Sequence, residues 1–502
     1  MIEIDVNIVE IVTKGLFTNS LDIFREYIQN FCDAIDDAVD AGILQENDGK
    51  IEITIENRQI TIKDTGMGIP MRYFERTMSR IGNSDKTLKT DRGFRGIGRL
   101  CGLAYCRAVR FSSTAKGEPK LSVMTIDAER LRREFFRNNN YSAESVLRNV
   151  IDFGKADAKV DEHFFRVELI DIVDTNSDLL DVQKVRDYLS FVAPVTYSPQ
   201  FNFRTEIYEH AAKLNFKITE YKLEVNGKPV FKNYKTSFRI FRNGTDKIFN
   251  VAFRDFYDEA GNLIAWSWIG LSTFKGVLSE RRETADYKMR CIRLRAGNIQ
   301  IGNEYALQDL FTEPRGTKYF IGEVHAVDKN LIPNGRRDYF EENEACNAFE
   351  KVLREYFCKL QDIYQYALEI KRAFNETKRP QIFSVEIERH TPEYQETHRA
   401  EHDAKLNKLR KEADKADKFI TQKRRAAEYN PESITSRVFK QIVGQKINTP
   451  TDSPVNPCTS RLPKPDWSAE QKKLYNEIYE IILANPKSAG NALIKKFEKI
   501  LK

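Results

Sequence analysis

The stretch that most constrains this chain is Arg25-Glu26-Tyr27-Ile28-Gln29-Asn30-Phe31-Cys32-Asp33-Ala34, a helical run with an unusual face. Glu26, Asn30 and Asp33 stand at i, i+4 and i+7 and so share one side of a helix. That face is polar where a plain core helix is apolar. Two further signals follow it in fixed order. In Ile62-Lys63-Asp64-Thr65-Gly66-Met67-Gly68-Ile69-Pro70 an acid ends a β-like run, and the glycines after it let backbone approach a flat ligand. In Gly93-Phe94-Arg95-Gly96-Ile97-Gly98 a glycine-rich stretch precedes the helix-like Arg99 to Ala104, a pattern whose amides can cradle phosphate at a helix N-terminus. Each alone has an ordinary explanation, since glycine-rich runs are most often turns and polar helix faces are most often solvated.

Together, within one domain's length, the three signals resemble the GHKL ATPase superfamily, which includes gyrase B, the ninety-kilodalton heat-shock chaperones, histidine kinases and MutL. The resemblance implies an α+β fold, with a Bergerat-type α/β sandwich binding ATP and Mg²⁺, and the chaperone branch is the nearest in pattern. It implies that Glu26 is the general base that orients and polarises the attacking water. Asn30 matches the ligand of Mg²⁺ and Asp33 a supporting acid one turn on. Asp64 matches the carboxylate that accepts from the adenine amino group, beside Gly66, Met67 and Gly68. Gly93, Gly96, Ile97 and Gly98 match the phosphate cradle, and the segment Arg80 to Arg92 the lid. Within that lid, Ser84 and Lys86 match the serine/lysine element near the phosphates. The family's Gly-Thr ahead of a later strand is missing here, because His163-Phe164-Phe165-Arg166-Val167 has no such pair before it. Either an aromatic or the His163 imidazole substitutes at the base, or the element lies elsewhere.

The chain has 502 residues, 41% hydrophobic and 31% charged, which is length for about three domains with sizeable cores. No apolar run approaches the roughly twenty residues of a membrane span, and the first residues lack the pattern of a signal peptide, so a cytoplasmic protein is expected. Seven cysteines without a C-x-x-C pair predict reduced thiols, with Cys32, Cys101 and Cys106 in the core. The net charge of +6 is spread over 80 basic and 74 acidic residues and does not by itself imply nucleic acid.

The ATP-binding domain is expected over 1–182 and a β-rich, transducer-like middle domain over 183–345. A helical, charge-rich region over 346–447, a linker over 448–467 and a helical pair over 468–502 complete the chain. Hairpin turns are predicted at Asn57-Arg58, Asn226-Gly227, Asn243-Gly244 and Gly261-Asn262. The run Asp328 to Asp338 resembles the chaperones' middle-domain catalytic loop, which implies that Arg337, with Arg336 as its rival, reaches the γ-phosphate. A rigid guanidinium fork suits phosphate oxygens. A helical break is expected at Arg379-Pro380, then a charge-dense helix over Pro392 to Tyr429: a coiled coil, a nucleic-acid arm or a solvated helix.

The resemblance implies an ATPase whose N-terminal closure operates a homodimeric clamp on a protein client or partner subunit. The alternative is an ATP-gated nucleic-acid clamp akin to MORC or MutL proteins. A histidine kinase fits less well, because no phosphoacceptor histidine helix precedes the polar helix.

Overall fold

Alternation of isoleucine with polar residues makes Lys50–Glu56 (β1) and Gln59–Asp64 (β2) a two-faced hairpin. Ile51, Ile53, Ile55, Ile60 and Ile62 are buried, while Glu52, Thr54 and Glu56 are exposed. At its turn Asn57 and Arg58 have φ of 47° and 63°, the left-handed pair that matches the twist of a hairpin. In this computed structural model the described residues are 19–80, 98–135, 143–173, 178–240, 244–274 and 285–444. The chain divides after Tyr366 into two units.

In the first unit the hairpin joins Cys106–Thr114 (β3), Lys120–Asp127 (β4), Ile151–Asp157 (β5), Phe164–Ile172 (β6), Lys222–Val225 (β7) and Lys228–Pro229 (β8). The strand order is β5-β4-β3-β6-β2-β1-β7-β8. Neighbours are antiparallel except β1 and β7, which run parallel. A parallel neighbour needs a long crossover, so the last two strands arrive only after an excursion of chain. The boundary expected after residue 182 therefore falls inside the span that builds this sheet.

The helix Asp22–Asp40 (α1) lays Ile23, Phe24, Tyr27, Ile28 and Phe31 into one core with the sheet isoleucines. The helices of this unit continue with Met71–Ser79 (α2), Ala128–Phe135 (α3), Ala143–Val150 (α4), Val182–Val192 (α5) and Arg204–Lys213 (α6). Asp181 caps α5 by accepting from the amides of Gln183 and Lys184. The run after Gly98 is a 3₁₀ turn, Gly98–Ala104. Cys32, Cys101 and Cys106 are buried free thiols.

Two short strands, Ser237–Arg239 (β9) and Thr245–Lys247 (β10), pair with each other. A five-stranded sheet follows from Asn250–Tyr257 (β11), Leu263–Leu271 (β12), Cys291–Ala296 (β13), Ile299–Ile301 (β14) and Ile321–Ala326 (β15), in the order β11-β12-β15-β13-β14. Its core is aromatic: Trp268 lies edge-on to Tyr197 and Tyr234, with Phe201 beside them. The long helix Glu344–Glu388 (α7) begins in this unit, burying Phe349, Leu353, Phe357 and Leu360. Pro380 does not break it. The helix runs on to Glu388, and the carbonyl of Pro380 accepts from the Ser384 hydroxyl at 3.0 Å. An interior proline forfeits its own amide bond, which its neighbours can absorb without ending the helix.

The second unit carries Pro392–Thr397 (α8), Arg399–Tyr429 (α9) and Ile434–Gly444 (α10). The expected charge-dense helix is thus two helices meeting at His398. Along α9, with Glu412 and Phe419 half-buried beside them, the shielded positions of the seam are His402, Leu406, Leu409, Ala413, Ala416, Ile420, Lys423 and Ala427. They advance by alternating steps of four and three, the seam of a helix packed in coiled-coil fashion. The 448–467 and 468–502 segments lie outside the described residues. No described helix is long and apolar enough to cross a membrane.

Candidate active site

Residues 23–29 of α1 are all buried, so the polar face is enclosed together with the apolar one. The Glu26 carboxylate lies between two guanidinium groups: Oε1 is 3.7 Å from Arg25 Nε and Oε2 is 3.5 Å from Arg337 Nε. Oε1 makes no hydrogen bond, and neither does the buried Oε1 of Gln29 nearby on the same helix. A buried acceptor left in this condition costs about 1–3 kcal/mol. Burial pulls the Arg25 guanidinium down, but Tyr188, Asp22 and Glu26 outweigh it and hold its pKa above the ordinary value.

The Asn30 side chain donates from Nδ2 to the Glu26 carbonyl at 3.0 Å. Only the nitrogen end can donate to a carbonyl, so Oδ1 is the end turned away from that bond. Asp33, one turn on, is buried. Gly98 closes the site from the far side, where a Cβ would come within 3.0 Å of Glu26 Oε2. The 3₁₀ turn is fixed to α1 by Tyr27, whose hydroxyl donates to Arg99 O at 3.1 Å and accepts from Gly102 N at 3.2 Å. Arg99, with its pKa pulled down by burial to about 10, donates to Thr77 O at 2.9 Å and also to Arg80 O. Ser84, Lys86, Gly93, Gly96 and Ile97 lie outside the described residues.

Asp64 falls in phase with Ile60 and Ile62, so strand alternation delivers a carboxylate to a position that otherwise takes an isoleucine. It is fully buried, and its Oδ1 accepts from Gly66 N at 2.8 Å and from Phe165 N at 3.0 Å. The loop after it is pressed onto α1. Met67 N donates to Ala34 O at 2.9 Å, and a Cβ on Gly66 would lie 2.7 Å from the Ala34 backbone. Gly68 has φ of 68°, with Thr114 O where a Cβ would project; only glycine suits both demands. His163 contacts this loop through Nδ1, 2.8 Å from Gly66 O. Because a carbonyl can only accept, Nδ1 carries the hydrogen.

Arg337 comes from the distant loop between β15 and α7. The loop is closed by a bridge between Pro333 and Phe340 and by Asn334 N donating to Tyr339 O at 2.9 Å, while Gly302 N donates to Arg337 O at 2.8 Å. Arg337 is buried and has φ of 55°, a left-handed conformation that costs an L-residue about 1–2 kcal/mol. Arg336 is exposed. Of the two arginines, the fold brings Arg337 to Glu26 and leaves Arg336 in solvent.

Sequence reasoning missed Arg25 and Gln29. Both lie within three positions of Glu26, and a cation and an amide inside an otherwise apolar helix were the available signal.

The donor set suits a nucleotide with a hard cation. Asn30 and Asp33 carry oxygen donors of the kind Mg²⁺ prefers, the buried Oε1 atoms of Glu26 and Gln29 accept no hydrogen bond, and the missing side chain of Gly98 leaves room beside Glu26. Comparison with known proteins agrees. No curated protein matches the chain. Residues 26–152 match the family of histidine kinase-, DNA gyrase B- and HSP90-like ATPases, and this match places the domain built on α1 and its sheet in the GHKL ATPase superfamily.

Proposed function

We propose that this chain is a Mg²⁺-dependent ATPase, nearest in type to the heat-shock-ninety chaperones, whose hydrolysis drives closure of a homodimeric clamp. The observation that carries the reading is Arg337 Nε at 3.5 Å from Glu26 Oε2, because it joins the loop after the second sheet to the base on the first. In this reading Asn30 holds Mg²⁺ with Asp33 in support, and Asp64 reads the adenine amino group. Bound Mg·ATP supplies the phosphoryl group and the charge that offsets it. Glu26 orients water and receives its proton at Oε1, the oxygen that makes no hydrogen bond. The Arg337 guanidinium fork suits phosphate oxygens as it suits a carboxylate, so it exchanges between Glu26 and an anionic substrate as the loop moves, and turnover follows the position of that loop.

The test is phosphate release by Arg337→Ala and Arg336→Ala, with nucleotide affinity measured separately. Arg337→Ala should slow hydrolysis by about 10³-fold or more with affinity within a few fold, and Arg336→Ala should change little. A silent Arg337→Ala overturns the coupling. Sedimentation with a non-hydrolysable ATP analogue should show two chains associating; a chain that stays monomeric overturns the clamp.

A further inference from the structure

The face of α9 opposite its packed seam has its own order. Residues 404, 408, 411, 415, 418, 422 and 425 are all exposed and advance by the same alternating steps of four and three, so they form one line along the helix. Five of the seven are Lys408, Lys411, Lys415, Lys418 and Arg425. The other two are Ala404 and Gln422. At 1.5 Å rise per residue the five cations span about 26 Å. Between Ala404 and Arg425 no acid stands on the line; Glu401 is the position before it, Asp403, Glu412, Asp414 and Asp417 flank it, and Glu412 faces Arg379 at 3.9 Å. Among the described residues none of the five cations is in a salt bridge. Like charges three and four apart on a helix destabilise it, so this line is held together against its own repulsion.

Three classes of partner suit a basic line, and the rest of the helix separates them. A protein interface needs aromatic or apolar anchors at its centre, and the middle of this face has none; the exposed Tyr429 stands at its end, four residues beyond Arg425. A membrane-surface helix turns an apolar side to lipid, but the apolar side of α9 is its packed seam. Single-stranded nucleic acid is held by stacking successive bases on a row of aromatic side chains, and between Ala404 and Arg425 the line has none. A duplex backbone is held without sequence preference by cations that neutralise its phosphates and release counterions, and it needs no apolar or aromatic anchor.

We propose that the outer face of α9 is a sequence-independent docking surface for the phosphate backbone of duplex nucleic acid. The surface stands on α9 alone and binds without ATP turnover, so its failure and the failure of the ATPase reading are separable.

The test uses the full chain, a fluorescent 30-base-pair duplex and no nucleotide, with anisotropy read over a range of salt. With five phosphate contacts the log–log salt slope should be about −4 to −5. Neutralising four lysines (K408Q, K411Q, K415Q, K418Q) should weaken binding at least about tenfold and flatten the slope by about 3 to 4. The matching arginine variant should keep wild-type affinity, which separates charge from folding. A control neutralising Lys116, Lys120, Lys155 and Lys159, all exposed on β4 and β5 or in the turns beside them, should leave binding unchanged. Glu26→Gln should bind duplex as the wild type does. Absence of duplex binding, an unchanged slope in the glutamine variant, or equal loss in the control overturns the proposal. So does preference for polyglutamate or for anionic vesicles over duplex.

Discussion

Among the described residues of the first unit two glutamates are buried, and their surroundings are opposite. Glu323 on β15 is saturated. Its Oε2 accepts from Tyr197 at 2.5 Å, His325 at 3.2 Å, and Lys232 and Trp268 at 3.3 Å each. Its Oε1 accepts from Arg295 Nε at 2.5 Å and Tyr234 at 3.0 Å. Burial alone would raise its pKa, but Arg295, Lys232 and His325 hold it well below the usual carboxylate range. Arg295 also donates to the Phe191 carbonyl at 2.7 Å, so this cluster ties the end of α5 to the second sheet. Glu26 has two guanidinium groups near it and an Oε1 that no group donates to. A buried charge with every lone pair satisfied is architecture, whereas one left short of donors is held ready for something that arrives.

The largest expected effect is on the unsaturated member. Glu26→Gln should lower hydrolysis by about 10² to 10⁴ while nucleotide affinity moves only a few fold. Its folding stability should fall less than that of the Glu323 variant, because among the described residues the Glu26 carboxylate makes only the two ion pairs at 3.5 and 3.7 Å and its Oε1 accepts no hydrogen bond. A variant that hydrolyses normally, or unfolds, erases the distinction between the two glutamates.

Glu323→Gln should do the reverse. It leaves Arg295 and Lys232 buried without their counter-charge, and breaking a buried pair of this kind costs about 3–5 kcal/mol, measurable by urea denaturation. Unchanged stability would show that the saturated cluster is dispensable.

The smallest effect sharpens the comparison through pH. His325 faces Glu323, Lys232 and Arg295 and stacks on Trp266 at 4.3 Å. Burial, helped by the two cations and opposed by Glu323, pushes its pKa down to about 4. An unfolded imidazole takes its proton near pH 6.5, so between those values acid favours the unfolded chain. Stability should therefore fall as pH drops from about 6.5 to 4, by up to about 3 kcal/mol from this group. His325→Phe keeps a ring on Trp266 and should remove that share of the slope; an unaltered slope would place the acid sensitivity elsewhere.

How far the sequence reached depends on the range over which each feature is encoded. The shared face of Glu26, Asn30 and Asp33, the isoleucine alternation that ends at Asp64, and the turn at Asn57 and Arg58 are set by periods of 3.6 and 2 and by local dihedral preference. Those are legible within a few residues. The 3₁₀ form of Gly98–Ala104 and the passage of α7 through Pro380 were not, because neighbours from elsewhere in the chain overrule local propensity. The two faces of α9 are again periodic, and its seam is legible once small alanines are allowed to be packing residues.

The sequence by itself determined the polar face of α1, the isoleucine alternation that ends at Asp64 and the hairpin of β1 and β2, since these follow from residue type and short spacing. Only tertiary structure decided that β7 and β8 complete the first sheet, that His163 meets Gly66, that six donors converge on Glu323, and that Arg337 and not Arg336 lies beside Glu26. No local pattern encodes these contacts. They come from the collapse of distant segments into one core, where the summed burial of many side chains fixes positions that no single stretch of chain can specify.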